Sequence, residues 1–232
     1  MRANGSPNVV KWTLAEARSS NGGNPRTRIL RAAADLFHKQ GVRLTTPAEI
    51  IKAAGAGRGQ FYHFFKNKNF LVHEVLHSFL QSLKDGTCPV RYDITSWDDV
   101  KKFFISHIEF QRKFAMTRSC PIGTVANEIS EEDELVRKDI HAIVEMMKKK
   151  LAAFFAVEKA QGRLAGSADP AAAAEFCIAA VQGAMLLGKI NRSSRLAEVA
   201  VKEALLHLEN YVVHPKCQAC TEEESRPFLD LA

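Results

Sequence analysis

The run Arg58-Gly59-Gln60-Phe61-Tyr62-His63, with Lys66 and Lys68 just behind it, collects side chains that suit nucleic acid. An Arg can donate twice to guanine, a Gln suits adenine, and hydroxyls and ammonium groups suit phosphate oxygens. A second candidate is Cys120, which stands before Pro121 and close to Arg118 in sequence. A thiol at a helix N-terminus beside a cation gains thiolate character, although a small buried wall residue fits the same position. Near the C-terminus, His214, Cys217 and Cys220 offer soft metal ligands. They are three where a closed zinc site takes four, so neither a metal nor a cofactor is expected. A thiol oxidoreductase built on Cys217 and Cys220 would need a strand–CxxC–helix context, and none surrounds them. The chain has no Ser/His/Asp grouping, phosphate loop or HExxH stretch, and an enzyme is not expected.

The elements that must position these residues are legible from composition and punctuation. The chain has 232 residues, of which 46% are apolar, 25% charged and 8% aromatic. That is enough to bury a sizeable core and excludes collagen-like and wholly disordered classes. The longest nearly uncharged apolar run, Phe176 to Gly188, is short of a membrane span and contains Gln182;. No secretory signal is apparent, and five scattered cysteines make no disulfide framework;. A cytoplasmic protein without membrane association is therefore expected. The charge is lopsided. Residues 1–68 carry twelve Lys/Arg against three acids, whereas the remainder carries 20 against 23. A basic head on a mildly acidic body suits a head that meets a polyanion. An architectural DNA binder would need a more basic body than this one.

Residues 1–23, rich in Asn, Gly, Ser and Arg, read as a mobile arm. Asn24-Pro25 is an N-cap with proline at the first helical position, and Gly41 is the expected left-handed terminator of that helix. Thr46-Pro47-Ala48-Glu49 is a capping box opening a short helix closed by Gly55. A third helix runs from Arg58 to Phe65, with Gly57 a weaker cap than Ser. Ile50, Ala54 and Phe61 would lock the second and third helices together and leave polar residues outward at the third helix's start. That is a helix-turn-helix arrangement. Downstream, Asn67, Ser96, Cys120-Pro121, Ser130, Asp169-Pro170 and Ser193 or Ser194 mark further helix starts. No strand-like alternation appears. The expectation is an all-α fold of about nine helices: a helix-turn-helix domain at 24–68, a larger helical domain at 69–213, and a tail at 214–232.

The stretch RILRAAADLFHKQGVRLTTPAEIIKAAGAGRGQFYHFFKNKNFLVHEVL resembles the TetR/AcrR family of bacterial transcription regulators. The resemblance implies that Arg58, Gly59 and Gln60 lie nearest the bases. It also implies that Thr46, Tyr62, His63 and Lys68 grip phosphates and that Arg26 or Thr27 flanks the same backbone. The implied function is a sequence-specific regulator, in most cases a repressor, that binds double-stranded operator DNA as a homodimer.

The last two helices are apolar over most of their circumference, the first of them rich in Ala and Gly. A helix apolar on two sides must be buried on two sides, so a four-helix seam with a second copy is expected. A monomer core is the alternative. The family resemblance further implies an inducer pocket in the intervening helices, for an apolar or aromatic small molecule. His107, Phe110, Cys120 and Phe176 are its candidates, although aromatic residues at helical spacing also make ordinary core. Arg118 to Ser130 resembles a subgroup whose members respond to electrophiles or to drug-like compounds. Release by ligand or by modification of a reactive cysteine is the implied mechanism.

Overall fold

The computed structural model describes residues 24–130 and 133–213. Among them are nine helices: α1 (Pro25–Leu44), α2 (Pro47–Ala54), α3 (Arg58–Phe64), α4 (Lys68–Lys84), α5 (Trp97–Arg112), α6 (Pro121–Ala126), α7 (Glu134–Ala160), α8 (Pro170–Asn191) and α9 (Arg195–Glu209). The fold is all-α, as the helix punctuation implies. The arm at 1–23 and the tail with His214, Cys217 and Cys220 lie outside the described residues.

Local capping chemistry explains most helix starts. Side-chain oxygens of Asn24, Thr46, Asn67, Ser96 and Asp169 accept from backbone N–H groups in the first turns of α1, α2, α4, α5 and α8;. One start differs from expectation: at α7 the Asp133 carboxylate accepts from the N–H and hydroxyl of Ser130, and the helix begins only at Glu134. At α9, of the two serines the sequence offers, Ser194 makes no side-chain cap, while the Ser193 hydroxyl accepts from the Arg195 N–H at 3.3 Å. Gly41 breaks α1 at φ 84°, but one further turn carries the chain to Leu44.

The helices divide into two compact units. The first holds the described residues up to Pro89 together with Cys120–Ile143, so α6 and the start of α7 belong with α1 to α4. Here α1 packs against α2, α3, α4 and α6. Its core is Ile29, Ala33 and Phe37 of α1, Ile50 of α2, Phe61 and Phe65 around α3, and Leu71 and Leu76 of α4.

The second unit holds Val90–Ser119 and the chain from Val144 onward. Within it α8 packs against α9, and both pack against α5. Phe103, Phe104, Leu151, Phe155, Cys177, Val181 and Leu205 fill the centre. Trp97 lies edge-on to Phe154 and donates from Nε1 to Glu158 at 2.9 Å. Gln111 is wholly buried, and its Nε2 donates to the carbonyls of Arg118 (2.7 Å) and Met185 (2.6 Å). Its Oε1 has no hydrogen-bond partner and lies against Gly188, whose missing Cβ leaves the room it needs. By length and composition α8 could cross a bilayer, with a mean hydropathy of 1.6. The uncharged run from Phe176 to Gly188 is shorter because Glu175 and Lys189 bound it. One face of α8 is packed inside the unit by Ala174, Cys177, Val181 and Met185.

Candidate nucleic-acid interface

α3 is seven residues long, too short to persist alone, and depends on what it buries;. Phe61 is fully buried, as are Ile50 of α2 and Phe65 just past the helix, while Ala54 is nearly so. This is the lock expected from the sequence. Gly55 at φ 56° makes the turn out of α2. The turn is further held by Arg28 of α1, whose guanidinium donates to the carbonyls of Ala54 (3.0 Å) and Gly55 (3.2 Å). With Phe61 inward, Arg58, Gly59, Gln60, Tyr62 and His63 are all exposed. These five residues form one continuous polar edge. Lys66 just beyond them is exposed too.

The remaining sequence-implied contacts sit differently. Gln60 Oε1 accepts from the Gly57 N–H at 2.9 Å, supplying a cap that glycine itself lacks;. Its amide NH2 is therefore the group left outward. Thr46 is exposed, but its hydroxyl and N–H serve the Glu49 carboxylate, both at 2.8 Å. Those bonds hold the Glu49 carboxyl below its usual range. Lys68 is half-buried and donates from Nζ to the carbonyls of Val42 (3.0 Å) and Thr45 (3.3 Å). Arg26 pairs with Glu74 and lies over the Phe65 ring. Thr27 is half-buried in the first turn of α1. Lys68 and Arg26 therefore brace the head from within, while the α3 edge faces outward.

Of the four residues proposed for a ligand, His107, Phe110 and Phe176 belong to the second unit and Cys120 to the first. His107 and Phe110 lie buried in α5, and Phe176 of α8 packs its ring on His207 of α9 at 4.7 Å. Both nitrogens of His107 are committed. Nδ1 sits 2.7 Å from the Phe103 carbonyl and must carry the proton, leaving Nε2 to accept from the Tyr92 hydroxyl at 3.1 Å;. A cavity of the second unit, lined by Trp97, Phe155, Leu164, Leu208 and Tyr211, has a volume of about 10 Å³. That is room for one water, and none of the four residues lines it;. Cys120 belongs to the first unit, is buried, and caps α6, with its carbonyl accepting from Thr124. Arg118 stacks over the Phe114 ring at 4.2 Å. Burial pushes the Cys177 thiol up to about 12, which makes it unreactive;. Among the described residues no three His, Cys, Asp or Glu side chains converge to hold a metal.

Comparison with known proteins matches residues 29–75 to a model described as bacterial regulatory proteins, tetR family. Residues 97–204 match a tetracyclin repressor-like C-terminal domain. The chain belongs to the TetR family. It is 28% identical over 181 residues to an uncharacterized HTH-type transcriptional regulator of Lactococcus lactis, covering 75% of this chain and 88% of that one. It is 45% identical over 58 residues to the repressor KstR2 of Rhodococcus jostii, covering 25% of this chain and 28% of that one. A TetR-family regulator of Agrobacterium tumefaciens shares the fold at a TM-score of 0.71 and 23% identity, over 82% of this chain and 100% of that one.

Two residues of this TetR-family head escape sequence reading. Arg28 reaches residues 26 and 27 positions away, and Glu128 reaches one 85 away. No local pattern announces either contact. His107 carries a consequence for stability. Burial pushes its pKa from 6.5 down to about 4, against the smaller upward pull of the Phe103 carbonyl. The unfolded chain then binds a proton near pH 6.5 that the folded chain refuses until about pH 4. Stability is full above 6.5 and falls as the pH drops through that window, by about 3 kcal/mol in total. Urea denaturation at pH 7 and pH 4.5 should show this loss in the wild type. His107→Gln, which never ionises, should lose correspondingly less over the same interval.

Proposed function

We propose that this chain is a homodimeric transcriptional repressor that reads the major groove of operator DNA with α3 from each protomer. Release would follow binding of a small apolar or aromatic ligand or modification of Cys120. The observation that carries the reading is the exposed edge from Arg58 to His63 mounted on the buried Phe61. A helix so presented, in a head (24–68) with nine basic residues against two acids, fits a groove lined by phosphates;. The exposed Arg58 is the candidate for bidentate contact with guanine. The half-buried Lys68 would act on DNA through the turn it braces. Relatives named as HTH-type transcriptional regulators support a binding role over an enzymatic one. They also make a cytoplasmic location the natural one.

The second copy is supported by the apolar faces that α8 and α9 leave uncovered. Leu186, Leu187 and Ile190 of α8 are exposed, Ile190 by 65%, beside Leu196 and Val199 of α9. Gly183 and Ala179 continue the α8 stripe with small residues that admit close helix approach. An exposed stripe of this kind is what an isologous four-helix seam would cover. Two heads joined in this way would meet half-sites one or more DNA turns apart, and release would be a shift towards a spacing that no longer matches.

Selection from random duplex DNA should return a near-palindromic site. On that site Arg58→Ala should lose about 10- to 100-fold in discrimination at one base pair. Lys66→Ala should weaken all duplexes alike and lower the salt slope by about one. Unchanged binding by both variants would refute the α3 assignment. Ile190→Asp should convert the dimer to a monomer in sedimentation and abolish tight operator binding, and an unaltered sedimentation coefficient would remove the seam. For the thiol route, wild type and Cys120→Ser are exposed to an electrophile while operator release is followed. Equal release would leave the reversible ligand as the trigger.

A further inference from the structure

We propose that Glu128 is a positioning residue for DNA reading. Its carboxylate, carried on the link after α6, fixes the turn between α1 and α2 and thereby the seating of α2 and α3. The inference rests on the DNA-binding role above and adds to it a residue far from α3 in sequence.

Several polar atoms of the turn from Gly41 to Thr46 are held. The Thr45 hydroxyl donates to the Gly41 carbonyl at 2.6 Å, and the Thr45 N–H donates to Val42. Lys68 takes the carbonyls of Val42 and Thr45. Thr46 then caps α2 through its exchange with Glu49. All of these partners lie within the first 68 residues. The remaining one does not: the Arg43 N–H donates to Glu128 Oε2 at 2.7 Å, across 85 residues of sequence.

Gly41 shows that the carboxylate is fitted to this place. Its φ of 84° and ψ of 167° belong to a region that L side chains rarely adopt;. A Cβ built there would also overlap the Glu128 carboxylate. The glycine thus serves both the backbone angle and the approach of Glu128. Where that carboxylate sits is set by α6, because the Glu128 N–H closes the helix end onto the Val125 carbonyl at 3.0 Å, and α6 packs on α1. A charge-assisted bond of 2.7 Å does not survive a displacement of an ångström or two. The placement of α6 is thereby read out at the entrance to α2, whose far end is the turn into α3.

Positioning and charge make opposite forecasts. If Glu128 acted only by repelling phosphate, Glu128→Gln and Glu128→Ala would tighten DNA equally. If it positions the turn, Gln still accepts from Arg43 while Ala and the shorter Asp do not. The test uses the full chain, the selected operator and an unrelated duplex in fluorescence anisotropy, with thermal melts and amide exchange of Arg43 by NMR. Glu128→Gln should stay within about twofold of wild type. Glu128→Ala and Glu128→Asp should lose about tenfold on the operator, the worth of one such bond, with little change on the unrelated duplex. Their Arg43 amide should exchange faster. Wild-type affinity in Ala and Asp, equal changes in Gln and Ala, or an unaltered Arg43 amide would each overturn the proposal. Should Glu128→Ala fail to fold, the Gln and Asp pair decides alone. Absence of operator preference in the wild type would instead overturn the DNA-binding role itself, a failure visible before any variant is compared.

Discussion

Burying Phe61 while leaving its neighbours in water is the constraint under which the head of this protein is built. A seven-residue helix has almost no stability of its own, so its orientation is whatever its one buried face dictates;. Phe61 and Phe65 supply that face, with Ile50 and Ala54 beneath them, and Arg28 ties the intervening carbonyls. The polar residues on either side of Phe61 then have nowhere to go but outward. The outward polar edge is a by-product of the packing.

The same economy appears in the glycines. Gly57 leaves α3 without a side-chain cap, and Gln60 folds its carbonyl back onto the Gly57 N–H. Gly41 admits both an unusual backbone angle and the Glu128 carboxylate. In the second unit Gly188 makes room for the amide of Gln111, whose two donated bonds join the Met185 and Arg118 carbonyls. At Gly41 and Gly188 a methyl group would obstruct the approach, and both bring together segments remote in sequence.

The ligand side of the molecule reads differently from the DNA side. His107, the residue most suggestive of a pocket, spends both ring nitrogens on Phe103 and Tyr92. It is a satisfied core histidine, kept neutral by burial. Phe110 and Phe176 pack on separate neighbours, Phe114 and His207. Aromatic residues at helical spacing build cores far more often than cavities, and spacing alone does not distinguish the two. The exposed Leu186, Leu187 and Ile190 show the complementary pattern: apolar residues the unit has not covered.

What the sequence determined by itself was most of what short-range physics carries. The caps at Asn24, Thr46, Asn67, Ser96 and Asp169 act over two or three residues, and the periodic burial of Ile50, Ala54 and Phe61 needs only helical geometry. Element order, the helix-turn-helix lock and the polar edge were therefore legible. Tertiary structure decided the partners of charged groups, because a guanidinium or carboxylate takes whatever acceptor or donor the fold brings within 3 Å, regardless of separation along the chain. For that reason no sequence pattern shows that Lys68 holds the Val42 and Thr45 carbonyls or that Arg26 pairs with Glu74. Residues 120–143 also belong to the first unit, and there Glu128 accepts from the Arg43 N–H.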